Sequence, residues 1–257
     1  MKIIRILHMY SDMLDLYGDN GNIEVLGYRA RARGIQIVVE HHSVGTKDTD
    51  FSSYDLIYLG GGADFEQQLL AEDLQSCRDE IIKAYENGTF FLLICGGYQL
   101  MGEYYKDSNG ELIKGLGMFP YHTEASLNKN KRCIGNIIVE TDLNGEKYEV
   151  IGFENHGGQT SQTDKMFGNV LFGNGNRFES EDEGYFDKNV IATYLHGPLL
   201  SKNPKLADYI IKYCAERNGD LIEMTPMDDT LEQKAREVLF GRLTPRNKIQ
   251  ETEGKKE

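Results

Sequence analysis

The sequence predicts an α/β fold: a mostly parallel central sheet with flanking helices, followed by a β-rich second half. Three observations carry that expectation. β-forming and amphipathic runs alternate through residues 2 to 102. One run, Phe90 to Ile94, is apolar at every position, as a strand covered on both faces must be. From about Ser108 to Asn189 helical periodicity gives way to short β-forming runs joined by glycine-rich turns.

Residues 2 to 8 read as the first strand. Asp19-Asn20-Gly21-Asn22 supplies turn and N-cap chemistry before an amphipathic helix from Ile23 to about Arg33, which Gly34 ends. Ile35 to Glu40 and Asp55 to Leu59 are the next strands, Phe65 to Glu86 one long helix, and Phe90 to Ile94 the buried strand. Ile134 to Glu140, Tyr148 to Phe153 and Asn169 to Leu171 are short strands of the second half, and Val190 to Leu195 returns as a β run. Pro204 to Arg217 is a closing helix, and Leu231 to Leu239 is a further helix beyond a polar linker. The division expected is one domain over residues 1–217 and a C-terminal helical extension with a polar tail over 218–257. Thr244 to Glu257 has too little apolar character to hold itself down, and is expected to be mobile or held by a partner.

Composition narrows the function. A formal net charge of -13 argues against a nucleic-acid surface, which needs clustered Lys and Arg. No apolar run approaches the roughly 18 residues of a membrane span. The N-terminus, broken by charge and by His8, reads as a strand and not as a cleaved leader. Cys77, Cys95, Cys133 and Cys214 show no C-x-x-C spacing, so neither a metal site nor a disulfide framework is expected, and a reducing cytoplasm fits.

The window Phe90-Phe91-Leu92-Leu93-Ile94-Cys95-Gly96-Gly97-Tyr98-Gln99 is a buried strand that stops at a cysteine and two glycines, with a helix expected from about Tyr98. A sharp strand-to-helix turn needs glycines because the backbone is strained and passes close to its neighbours, and it pushes the central side chain into a cleft. Any isolated cysteine reads first as a small buried hydrophobe; this context makes Cys95 a nucleophile. Of the six histidines only His196 ends a strongly β-forming run, at the carboxyl edge where α/β sites lie, and it is the favoured base. His8 and His156 are the lesser alternatives, and His41 and His42 read as solvent-facing. Gly60-Gly61-Gly62, directly after a strand, offers bare amides; Gly61 together with Gly96 is expected to bind a developing oxyanion.

Leu93-Ile94-Cys95-Gly96-Gly97-Tyr98-Gln99 and Tyr194-Leu195-His196-Gly197-Pro198 resemble the cobyric-acid-synthase-like branch of the class I glutamine amidotransferases, over roughly residues 2 to 215. Leu16-Tyr17-Gly18-Asp19-Asn20-Gly21-Asn22 and the short chain narrow the resemblance to the glutaminase subunits of lipid II isoglutaminyl synthases. That resemblance implies a flavodoxin-like amidotransferase domain in which Cys95 hydrolyses L-glutamine through a thioester. It also implies a heterodimer with a Mur-ligase-like (MurT-like) synthetase subunit, which uses the ammonia to amidate the D-glutamate of the peptidoglycan stem. No cofactor is expected in this chain: it has no P-loop, and ATP and magnesium would sit on the partner. Arg132 is the residue the resemblance assigns to glutamine, and a planar guanidinium suits an α-carboxylate; a solvated basic loop is the competing reading. The Tyr17 to Asn22 segment equally reads as a helix-capping turn.

The pattern departs from the family in two places. Leu93 stands where many members have glycine, and Pro198 stands where the usual carboxylate follows the histidine. The triad's acid is therefore unassigned: Glu154 and Asp19 are candidates within the chain, and an Asp or Glu supplied by the synthetase is the favoured expectation. Other readings are an ammonia-supplying subunit of a cobyrinate-type or other amide synthetase, a cysteine hydrolase on the same fold, and a non-catalytic scaffold subunit.

Overall fold

The computed structural model describes residues 2–161, 165–219 and 221–243. Its first half is a wound α/β unit: β1 (Ile3–Met9), α1 (Gly21–Arg31), β2 (Gln36–His42), β3 (Leu56–Leu59), α2 (Asp64–Ser76), α3 (Arg78–Glu86), β4 (Phe90–Ile94) and α4 (Gly96–Met101). Short strands follow: β5 (Tyr104–Lys106), β6 (Leu112–Lys114), β7 (His122–Ala125), β8 (Cys133–Leu143), β9 (Glu146–His156), β10 (Gly158–Ser161), β11 (Gly168–Phe172), β12 (Asp182–Glu183) and β13 (Tyr185–Asp187). The chain then returns to the core with β14 (Val190–Thr193) and closes with α5 (Pro204–Glu216) and α6 (Thr230–Leu243).

The central sheet has the order β13-β14-β4-β3-β1-β2. Every pairing in it is parallel except β13 with β14. β3, β4 and β14 are buried at every residue, which explains why their sequences are apolar apart from Thr193, whose buried hydroxyl donates to Glu183. Because β1, β3, β4 and β14 run the same way, the loops that follow them gather at one edge. Those loops carry Asp19, Gly60 to Gly62, Cys95 and His196.

The β-rich half forms two further sheets, β10-β7-β5-β6 and β12-β11-β8-β9. β8 and β9 pair along their length in a hairpin turned at Asn144-Gly145, both at positive φ, 58° and 86°. Asn-Gly adopts that left-handed turn readily, and the turn sets the register. The hairpin reaches back to the core: the backbones of Phe153 and His196 exchange hydrogen bonds of 3.3 and 2.8 Å.

Two of the boundaries that differ from expectation concern the helices on either side of the elbow strand. The single helix foreseen over 65–86 is two, broken at Cys77 (φ -95°, ψ 0°). Ser76 donates its hydroxyl to the Asp73 carbonyl at 2.6 Å, a local bond that competes with the helical ladder there. The helix after the elbow starts at Gly96, at once after the cysteine.

The segment after residue 220 packs on this body. Arg29 on α1 bridges Asp208 of α5 (2.7 Å) and Asp229 (2.6 Å), and Arg33 donates to the Thr225 carbonyl at 2.9 Å. Arg236 of α6 donates to Asn203 Oδ1 at 2.7 Å and lies over the Tyr148 ring. The tail from Thr244 to Glu257 lies outside the described residues. Among the described residues no helix is long and apolar enough to cross a membrane.

Candidate active site

Cys95 sits at φ 49°, ψ -98°, a conformation L residues rarely hold. The strain is held from both sides: the Cys95 amide donates to the Thr193 carbonyl (2.8 Å), and the Cys95 carbonyl accepts from the Gln99 amide (2.9 Å). The glycines that follow are obligatory by contact. A Cβ on Gly96 would meet the Gly62 nitrogen at 2.9 Å, and one on Gly97 would meet Leu59 Cβ at 2.7 Å. Cys95 lines a cavity of about 600 Å³ with Tyr17, Gln99, Arg132 and Asn155 on its walls.

His196 follows β14 and is fully buried. Its Nδ1 bonds Asp19 Oδ2 at 2.8 Å, and Asp19 is itself fully buried. Nδ1–H is the donor because the partner is a carboxylate. Nε2 is buried without a hydrogen-bond partner and lies close enough to Cys95 for the sulfur to act on the ring. Burial opposes charge on the ring, yet the neighbouring Cys95 and the Asp19 carboxylate outweigh it and raise His196 to about 10. The imidazolium is therefore the form held at neutral pH, with a proton ready for a leaving amine.

Asp19 gives His196 a carboxylate partner from within the chain, where the favoured expectation was one supplied by the synthetase. It lies 177 residues before His196, in the loop after β1. That loop is braced from the core: Tyr58 Oη donates to the Asp19 carbonyl (2.7 Å), Asn22 Nδ2 donates to Tyr58 Oη (3.1 Å), and Asn22 Oδ1 accepts from the Leu200 amide (2.9 Å). Glu154, the other candidate, faces elsewhere: it accepts from Asn174 and Gly175 and lies 3.9 Å from His156.

Gly61 has a different part from the one expected of it. Its amide donates to Asp19 Oδ2 at 3.1 Å, so it braces the acid and is not free for an oxyanion. A Cβ there would meet His196 Cε1 at 2.6 Å, so the absence of a side chain makes room for the dyad. The amide of Gly96, first in α4, has no partner within its helix, and it stands beside Gly62.

The alternative bases are engaged otherwise. Burial pushes His156 down to about 3 and His8 down to about 4. His156 stacks flat on Tyr194 with ring centroids 3.6 Å apart, and His8 packs edge-on to Tyr58. His42, read as solvent-facing, is buried and bonds Thr49 and Asp73.

Arg132 lines the same cavity as Cys95. Its Nε donates to Asn155 Oδ1 at 2.9 Å, and Asn155 in turn donates to the Tyr17 hydroxyl. Arg132 forms no ion pair among the described residues, which leaves the rest of its guanidinium for an anion. Tyr17 also meets His196 edge-on at 5.0 Å. Asn155 and Gln99 had no role in the sequence reading, although both lie within or beside segments it singled out; a polar residue next to a glycine turn carries no local sign of facing a cavity.

A strained thiol, a buried imidazole oriented by a carboxylate, and a guanidinium across a cavity together suit acyl transfer from a substrate bearing a carboxylate. Residues 5–204 match the family model of the CobB/CobQ-like glutamine amidotransferase domain. The chain belongs to that family and is a glutamine-hydrolysing amidotransferase. It is 39% identical over 249 residues, 96% of this chain and 99% of the relative, to the lipid II isoglutaminyl synthase (glutamine-hydrolyzing) subunit GatD of Staphylococcus aureus. The GatD subunit of Streptococcus pneumoniae is also 39% identical, over 91% of this chain and 89% of its own. Cobyric acid synthase of Bacteroides fragilis is 29% identical over 68% of this chain, which corresponds to 35% of that longer protein.

Proposed function

We propose that this chain is the glutaminase subunit of a two-chain lipid II isoglutaminyl synthase, acting in the cytoplasm with a Mur-ligase-like, ATP-dependent synthetase. The observation that carries the chemistry is the Asp19–His196 pair at 2.8 Å beside the strained Cys95, in a cavity walled by Arg132. The near full-length likeness to the two GatD subunits supports the acceptor and the partner.

Arg132 and Asn155 hold the α-carboxylate end of L-glutamine, and the carboxamide lies over Cys95. The thiolate attacks the carboxamide carbon, and the amides of Gly62 and Gly96 receive the charge that develops on oxygen. As the C–N bond breaks, His196 gives its Nε2 proton to the nitrogen, which leaves as ammonia, and a γ-glutamyl thioester remains. Water then attacks the thioester, His196 takes its proton, and glutamate departs. Ammonia moves to the synthetase before solvent can protonate it.

Since the acid lies within the chain, the subunit purified alone is expected to release glutamate from glutamine. Adding the synthetase, lipid II and ATP is expected to yield amidated stem peptide. No glutamate from the free chain would return the triad's acid to the partner; amidation of a different acceptor would overturn the lipid II reading alone.

Arg132→Ala is expected to raise the glutamine KM about tenfold to a hundredfold, the loss of a charge-assisted contact of roughly 1.5 to 3 kcal/mol. Arg132→Lys recovers only part of it, because an ammonium cannot make two parallel bonds. Steady-state kinetics in glutamine check both; an unchanged KM in Arg132→Ala returns the residue to a solvated loop.

A further inference from the structure

The β8–β9 hairpin carries a second set of reactive side chains on the face opposite Arg132 and Asn155. Cys133 pairs with His156 across the two strands, and Gly135 pairs with Glu154. Alternation along β9 then puts Cys133, Glu154 and His156 on one face. All three are buried, and Cys133 Sγ, a Glu154 oxygen and a His156 ring nitrogen lie within 4.8 Å of one another.

The histidine is the informative member. Its Nδ1 must donate to the Gly158 carbonyl, 2.8 Å away, so in the neutral ring Nε2 is a bare lone pair. That Nε2 is buried and has no hydrogen-bond partner, and it points at Glu154 Oε2 from 3.9 Å. Two acceptors facing each other in a dry site lack a positive charge between them. Glu183 adds another buried carboxyl group with an unpartnered Oε2; burial pushes it up to about 8, and it lies close enough to act electrostatically on both Cys133 and Glu154. Neither Glu154 nor Glu183 has a Lys or Arg partner among the described residues. A carbonyl on Nδ1 and the Asn174 and Gly175 donors on the carboxylate are the outer contacts that orient metal ligands.

We infer that Cys133 Sγ, Glu154 Oε2 and His156 Nε2 form a buried binding site for a divalent cation of the zinc class. Thiolate, imidazole and carboxylate together select zinc over magnesium or calcium. Zinc bonds of about 2.0 to 2.3 Å require the ligands to close inward by on the order of an ångström. On binding, the Cys133 thiol releases its proton to solvent and coordinates as thiolate. The ion would tie together the strand ends that present Arg132 and Asn155 to the cavity. The absence of C-x-x-C spacing gave no hint of the site, because here the ligand spacing is set by hairpin register.

The test uses the full chain purified under reducing conditions, with zinc retention after dialysis measured by mass spectrometry and cobalt(II) as the optical probe. About one ion per chain and a thiolate-to-cobalt charge-transfer band are expected in the wild type, both lost in Cys133→Ser. Cys77→Ser and Cys95→Ser are expected to keep the band. Cys77 is the necessary control because it lies near His42 and Asp73, although His42 is already bonded there. Cys133→Ala, which leaves no hydroxyl in the dry site, repeats the measurement if the serine variant is unstable. Failure of the wild type to retain an ion, or loss of the band in Cys77→Ser or Cys95→Ser in place of the Cys133 variants, overturns the proposal.

Discussion

Cys95→Ser and Cys95→Ala are expected to release no measurable glutamate from glutamine while melting close to the wild-type temperature. Cys95 is the nucleophile of the proposed cycle, so without its thiolate there is no acyl acceptor and no thioester. The fold should survive because the contacts that shape the turn belong to the backbone of Cys95 and to Gly96 and Gly97, and the side chain itself faces the cavity. In the complex with the synthetase, amidation fed by external ammonium should continue, since only the ammonia source is gone. Glutamate assays, thermal melts and an ammonium-supplied amidation assay check the three parts. Near wild-type hydrolysis in either variant would remove Cys95 from the mechanism, and loss of the ammonium-driven reaction as well would make its role structural.

Asp19→Asn is expected to lower kcat by about three to four orders of magnitude, the scale seen when a triad carboxylate becomes an amide. The wild-type carboxylate accepts from both His196 Nδ1–H and the Gly61 amide through one oxygen. An asparagine that turns its NH₂ toward these donors opposes them; one that turns its oxygen there keeps the hydrogen bonds but not the charge. Asp19 is one of the charges that raise His196 to about 10, so its removal moves the imidazolium back toward the ordinary histidine range. The sign follows directly. The alkaline limb of the pH–rate profile, where the His196 proton is lost, shifts to lower pH in Asp19→Asn, and activity at pH 8 to 9, on a scale where an unperturbed histidine titrates at about 6.5, falls further than activity at pH 6. Wild-type turnover, or an unmoved alkaline limb, would return the acid to another residue.

The sequence by itself determined the parts whose evidence is local. Phe90 to Ile94 is apolar throughout because β4 is covered on both faces, and Cys95-Gly96-Gly97 marks the turn because no side chain fits against Leu59 and Gly62 there. His196 was legible as the residue that ends a buried β run, and Asn144-Gly145 lies where the hairpin turns. Asp19 was visible but not decidable. Aspartate before Asn-Gly-Asn looks the same whether it serves only a turn or also orients a histidine 177 residues away. Only the parallel sheet decides between these, because it brings the loops after β1, β3, β4 and β14 to one edge and buries Asp19 against Gly61 and His196. The part played by Gly61 is likewise tertiary: an amide's acceptor depends on what the fold sets beside it, and here that is a carboxylate. The β8–β9 hairpin divides its residues by the same physics, with alternation putting Arg132 and Asn155 on one face and Cys133, Glu154 and His156 on the other. What each face meets depends on where β9 docks against His196, and that is a fact of packing that no local spacing encodes.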